Sequence, residues 1–104
     1  TFYVIQIHGT FMTQKFNRLV DLKKIVTEME YDLGLNTLST IEQNVLLAIS
    51  DLQKSGGTAK TKAILCHDLT KKISRPSVFR ALSKLEKHGK LTKSVLINGE
   101  YSLA

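Results

Sequence analysis

A mainly helical α+β fold is predicted for this chain by three features of its sequence. Apolar residues recur at helical spacing over residues 13–33 and again over 41–52. A stretch at 74–88 carries both a helix start signal and a glycine stop, and two short β-prone runs flank Asn98-Gly99. The 104 residues are enough for one core. With 42% hydrophobic and 23% charged residues and a single proline, the composition is that of a folded globular chain.

The first eleven residues, TFYVIQIHGTF, alternate β-branched and aromatic side chains over Phe2 to Ile7 and reach a glycine at Gly9. That alternation predicts a strand-like N-terminal arm over 1–11 that needs a partner surface. Met12 is a candidate start, which leaves the arm either native or an extension.

A long amphipathic helix is predicted over 12–35. Phe16, Leu19, Leu22, Val26, Met29 and Leu33 step by 3, 3, 4, 3 and 4, the narrow seam used by paired helices. A helix of about 20 residues spans about 30 Å, more than so small a domain covers, so a homodimer through these six side chains is expected. Gly34 supplies the helix stop.

Residues 36–104 form the remaining domain. Ser39 or Thr40 can cap a second helix, with Glu42 or Gln43 three positions on, and Ile41, Val45, Leu46, Ile49 and Leu52 as its buried face. Gly56-Gly57 ends it. Thr58 and Ala59 read as extended, followed by a short helix over Lys60 to Cys66 that buries Ala63 and Ile64, with Cys66 a candidate core residue. His67 to Ile73 reads as either another helical turn or an irregular connection. Ser74 is placed to cap the next helix, and Pro76 lies in its first turn, where a missing amide proton costs nothing. At 100° per residue Val78, Ala81, Leu82 and Leu85 share one side, while Pro76, Arg80, Ser83, Lys84 and Lys87 share the other. Gly89 follows at the left-handed stop. LTKSVLI and EYSL then read as two strands joined by a two-residue type I′ turn at Asn98-Gly99.

Charge is unevenly distributed along the chain. Residues 54–93 hold eleven cations against two acids, a net +9, so the rest of this +6 chain carries −3. Such asymmetry suits a polyanion met on one side. The single cysteine excludes an internal disulfide, and Cys66, His67 and Asp68 lack the further ligands at suitable spacing that zinc needs. No glycine-rich phosphate loop, paired carboxylates or nucleophile and base set is present, so no enzyme activity and no cofactor are expected. Without a long apolar run or a signal-like start, membrane insertion is not expected and a cytoplasmic location is.

Three helices followed by a hairpin is the order of a winged helix-turn-helix with a long N-terminal helix and a C-terminal β-hairpin wing. LSTIEQNVLLAI and ISRPSVFRALSKLEKHGKL resemble the DNA-binding core of the MarR-type bacterial transcriptional regulators, whose recognition helix commonly opens with a Ser-Arg-Pro-like stretch and closes with Leu-Glu-Lys-x-Gly. The similarity covers about residues 38–104. It implies sequence-specific double-stranded DNA binding, with Ser74, Arg75, Pro76 and Ser77 at the mouth of the major groove and Arg80 and Lys84 further along. Physical chemistry points the same way, because a helix N-terminus offers amide protons to phosphate and its first turns reach base edges. Arg75 and Arg80 suit guanine O6 and N7. Lys60, Lys62, Lys71, Lys84, Lys87 and Lys93 suit phosphates. Phe79 is expected to pack on a neighbouring helix or meet a thymine methyl. The wing tip, read as Asn98-Gly99-Glu100, has no arginine to enter a minor groove. The carboxy-terminal helices through which MarR-type proteins dimerise have no counterpart, so either the first helix takes over pairing or the protein works as a monomer. The alternative reading is a winged helix used as a protein-protein adaptor, without sequence-specific DNA binding. An effector is not indicated by any residue set.

Overall fold

The computed structural model describes residues 2–104, with side chains described from residue 11 onward. The fold is α+β and mainly helical: α1 (Phe2–Asp32), a 3₁₀ turn (Leu35–Thr37), α2 (Thr40–Gly56), β1 (Ala59–Lys60), α3 (Thr61–Cys66), α4 (Arg75–Lys87), β2 (Leu91–Lys93) and β3 (Glu100–Leu103). Residues up to Thr37 form one compact unit and Leu38–Ala104 a second. None of the described helices is long and apolar enough to cross a membrane.

In the first unit, residues 2–7 are helical, which corrects the strand-like reading of the N-terminal arm. A helix satisfies its own backbone amides and carbonyls, whereas a lone strand leaves them unpaired. A short alternation is too weak a signal to oppose that, and Gly9 inside a helix costs only about 1 kcal/mol. Between residues 11 and 32 no side chain is buried. The helix ends where Gly34 takes φ 73° and its amide donates to the Tyr31 carbonyl.

The second unit holds a core made by Val45, Leu46, Ala48 and Ile49 of α2, Ile64 of α3, Val78, Ala81, Leu82 and Leu85 of α4, and Leu91 and Tyr101 of the sheet. Local sequence explains both ends of α2. Ser39 caps α2, its hydroxyl accepting from the Glu42 amide, and Gly57 closes it at φ 76°. Two expected core positions differ: Ile41, in the first turn of α2, is exposed, and so is Cys66 at the end of α3. Leu52 and Ala63 are half-buried.

The connection from His67 to Ile73 is a hydrogen-bonded turn rather than a helix. The amides of Thr70 and Lys71 donate to the His67 carbonyl, and that of Ile73 to the Thr70 carbonyl. Thr70 is fully buried, and its hydroxyl donates to the Ile64 carbonyl at the end of α3. A β-branched residue with one donor thus fixes the angle at which the chain leaves α3.

The sheet is antiparallel in the order β1-β3-β2, so β3 is its centre. Ala59 pairs Tyr101 and Lys60 pairs Glu100, while Leu91, Thr92 and Lys93 pair Leu103, Ser102 and Tyr101. This register overturns the two-residue type I′ turn. Such a turn needs positive φ at both central residues; Gly99 has φ 79°, but among the described residues none other than glycine, Asn98 included, is positive. Instead, Ser94 to Gly99 form the connection. Gly99 is committed elsewhere: its carbonyl accepts from both the amide and the hydroxyl of Thr61, each at 2.8 Å. Pairing of β3 with β1 and burial of Tyr101 therefore set the register, and the local Asn-Gly signal yields to them.

Candidate nucleic-acid interface

Helix α4 places most of the singled-out side chains. Ser74 is its N-cap and accepts from the Ser77 amide, with Pro76 in the first turn, so the start of the helix is stiff. The end is a Schellman closure: Gly89 at φ 75° donates to the Glu86 carbonyl, and Lys90 donates to that of Leu85. With Val78, Ala81, Leu82 and Leu85 buried, the opposite face is free, and Arg75, Pro76, Arg80, Ser83, Lys84 and Lys87 are all exposed.

That free face is ordered by a string of side-chain hydrogen bonds at helical spacing. The Ser74 hydroxyl donates to that of Ser77 at 2.7 Å, and Arg80 Nη2 donates to the Ser77 hydroxyl at 3.2 Å. Three residues three apart lie along one side of a helix, so Arg80 is drawn toward the helix N-terminus with most of its donors unspent. Arg75 lies over the Phe79 ring, 5.6 Å from its centroid, a cation-π distance. Phe79 remains 38% exposed. It serves as a platform for Arg75.

One acidic residue intrudes on this basic face. Glu42 Oε1 lies 3.1 Å from Lys84 Nζ, joining the start of α2 to the middle of α4. The carboxylate is buried while Lys84 stays largely in water. Burial pushes the Glu42 carboxyl up. Hydrogen bonds from Lys84 and from the Ser39 side chain and backbone, together with the Lys84 charge, outweigh it and hold the group below its ordinary value of 4.5. Ser39 and Glu42 thus form a reciprocal capping box that also anchors a lysine. A shallow groove runs here between the two helices, lined by Ser39, Ile41, Glu42, Ser77, Arg80 and Lys84 among others. The exposed Ile41 forms part of it.

The Glu42 contact has a pH signature. Folded Glu42 holds a proton less tightly than the unfolded chain, so unfolding takes up a proton once the pH falls toward 4.5 and stability declines below it. Acid unfolding followed by circular dichroism should show this decline, and Glu42→Gln should flatten that part of the profile while lowering stability at neutral pH. Asp51 contributes with the same sign. The hydrogen bond with His67 Nε2 at 2.7 Å, only partly opposed by desolvation, holds its carboxyl below the ordinary range.

The remaining candidates are less tightly grouped. Lys60, Lys62 and Lys93 are all exposed, on β1, the start of α3 and the end of β2. Register separates two of them. Lys60 lies opposite Glu100, and Lys93 opposite its neighbour Tyr101, so they emerge on opposite faces of the sheet. Lys71 is paired with Asp68 at 3.1 Å.

The expected tip Asn98-Gly99-Glu100 is also replaced. Glu100 is buried and accepts from the Thr58 hydroxyl at 3.1 Å, while Val95 and Leu96 are 100% and 94% exposed, with Ile97 exposed beside them. No family model, curated protein or solved structure matches the chain.

Proposed function

We propose that Leu38–Ala104 is a winged helix-turn-helix that binds double-stranded DNA sequence-specifically, in the manner of the MarR-type regulators its α4 resembles, and that the chain acts as a homodimer. α3, the Thr70 turn and α4 are the helix-turn-helix, α4 enters the major groove, and the β2–β3 hairpin is the wing. The observation that carries this reading is the outer face of α4: a capped, proline-stiffened N-terminus followed by a half-buried Ser77 and an exposed Arg80, Lys84, Lys87 line, with the leucines buried beneath. Arg75 and Arg80 read base edges; Lys87, Lys60 and Lys62 hold phosphates, and Lys93 meets the backbone beside the wing. Lys84 binds a phosphate while keeping Glu42 as its second partner.

Selection of duplexes from a random library tests the proposal, followed by titration of the selected site at several salt concentrations. A steep linear fall of log affinity with log salt is expected, because each neutralised phosphate releases counterions. Lys87→Ala should weaken selected and random duplexes alike and reduce that slope by about 1. The adaptor reading is favoured by one observation, the solvent-exposed Val95-Leu96-Ile97 run. Recovery of no preferred sequence, with no salt dependence, would replace DNA binding by that alternative.

A further inference from the structure

Helix α1 has two properties that together specify what covers it. The first is an apolar stripe with nothing on it: Phe16 is 61% exposed, and Leu19, Leu22, Val26, Met29 and Leu33 are each half exposed or more. In a heptad frame Leu19, Val26 and Leu33 fall at a, and Leu22 and Met29 at d, the seam of a two-stranded coiled coil.

The second is a separation of charge along the helix. From residue 12 to 24, Lys15, Arg18, Lys23 and Lys24 against Asp21 leave +3, whereas from 25 to 34 Glu28, Glu30 and Asp32 give −3. Acids close to a helix C-terminus oppose the partial negative charge there, and the last turn of α1 contains no basic residue to offset them. Alone, the helix is badly arranged. A second copy running in the same direction makes matters worse, since Arg18 at g meets Lys23 at e of the next heptad and the acidic ends lie side by side.

We infer that α1 pairs with α1 of a second copy in antiparallel orientation, centred near Lys24. In that register Leu19 meets Met29 of the second copy and Leu22 meets its Val26, each contact occurring twice by symmetry. Arg18 faces Asp32 of the other copy, also twice, and the basic half of each helix lies along the acidic half of its neighbour. The single opposing contact is Lys23 against Lys23 at the two-fold axis. The stem of Lys15 covers Leu33 of the second copy while its ammonium keeps its place over the Phe11 ring of its own helix, 4.4 Å from the centroid. At 1.5 Å per residue, the two Asp32 positions lie about 24 Å apart along the pair. This deepens the self-association part of the proposal above.

Cysteine cross-linking of the full chain in a Cys66→Ser background tests it without DNA, so its outcome is independent of whether a duplex binds. Leu19→Cys and Met29→Cys chains are mixed in a glutathione redox buffer and separated under non-reducing conditions. Antiparallel pairing gives the mixed disulfide in large excess over either homodisulfide, and Leu22→Cys mixed with Val26→Cys repeats the result. Parallel pairing brings each position to its own copy and separates residues 19 and 29 by about 15 Å, so a predominance of homodisulfides overturns the orientation. Sedimentation of the unmutated chain as a monomer overturns the pairing itself.

Discussion

Leu82→Ala is expected to lower the unfolding free energy of the Leu38–Ala104 unit by about 3 kcal/mol, the usual cost of emptying a leucine site in a packed core. Leu82 is 1% exposed and lies on the underside of α4. There it helps join that helix to the core that includes Ile49 and Ile64. So small a domain has roughly 5 kcal/mol to lose, and the melting temperature should drop by roughly 15 °C. Circular dichroism melts check it. Arg80→Ala, about half a turn away but in solvent, should melt with the parent protein. A Leu82→Ala shift of only a degree or two would mean that the underside of α4 is not enclosed, and with it the rigidity of the outer face would be lost as an argument.

On the DNA-binding reading proposed above, Arg80→Ala has the second large effect, on recognition instead of stability. A bidentate guanidinium contact to a base edge discriminates by about 1–3 kcal/mol, so affinity for the selected duplex should fall by roughly 5- to 150-fold while affinity for a random duplex changes little. Arg80→Lys separates charge from shape. It keeps the cation but not the fork, and should leave specificity impaired at close to normal non-specific affinity. The Ser77 hydroxyl holds Arg80 at 3.2 Å, which limits the orientations of the guanidinium before any DNA arrives. Mobility-shift titrations on both duplexes distinguish the cases, and an equal loss on both would move Arg80 from base reading to phosphate binding.

Helix α4 was legible almost entirely because its determinants are local. Ser74, Pro76 and Gly89 act within a few residues, and a 100° repeat suffices to place Val78, Ala81, Leu82 and Leu85 in the core. The hairpin connection was legible only in part. Asn98-Gly99 is a strong turn signal among neighbours, yet the register answers to Ala59, Lys60 and Thr61, about forty positions earlier, and no short window contains that information. The Glu42–Lys84 pair has the same origin. The capping box was readable at Ser39 and Glu42, but not that the carboxylate would meet a lysine on another helix. Residues 2–7 failed for a different reason: six alternating residues fit a strand, but the same residues also extend the helix that follows them, and so short an alternation does not decide between the two.

The position of β3 in the sheet has a temporal consequence. Ala59–Lys60 and Leu91–Lys93 never pair with one another; both pair with Glu100–Leu103, which follows them in the chain. Neither can find its partner on a translating ribosome until Glu100–Leu103 has left the exit tunnel. The Leu103 amide also donates to the Gln53 side chain at 3.0 Å, tying this late segment to α2. Helices can form as they emerge, but closure of the sheet waits for release of its keystone, and a nascent chain halted at Gly99 would hold two orphaned edges and no ladder.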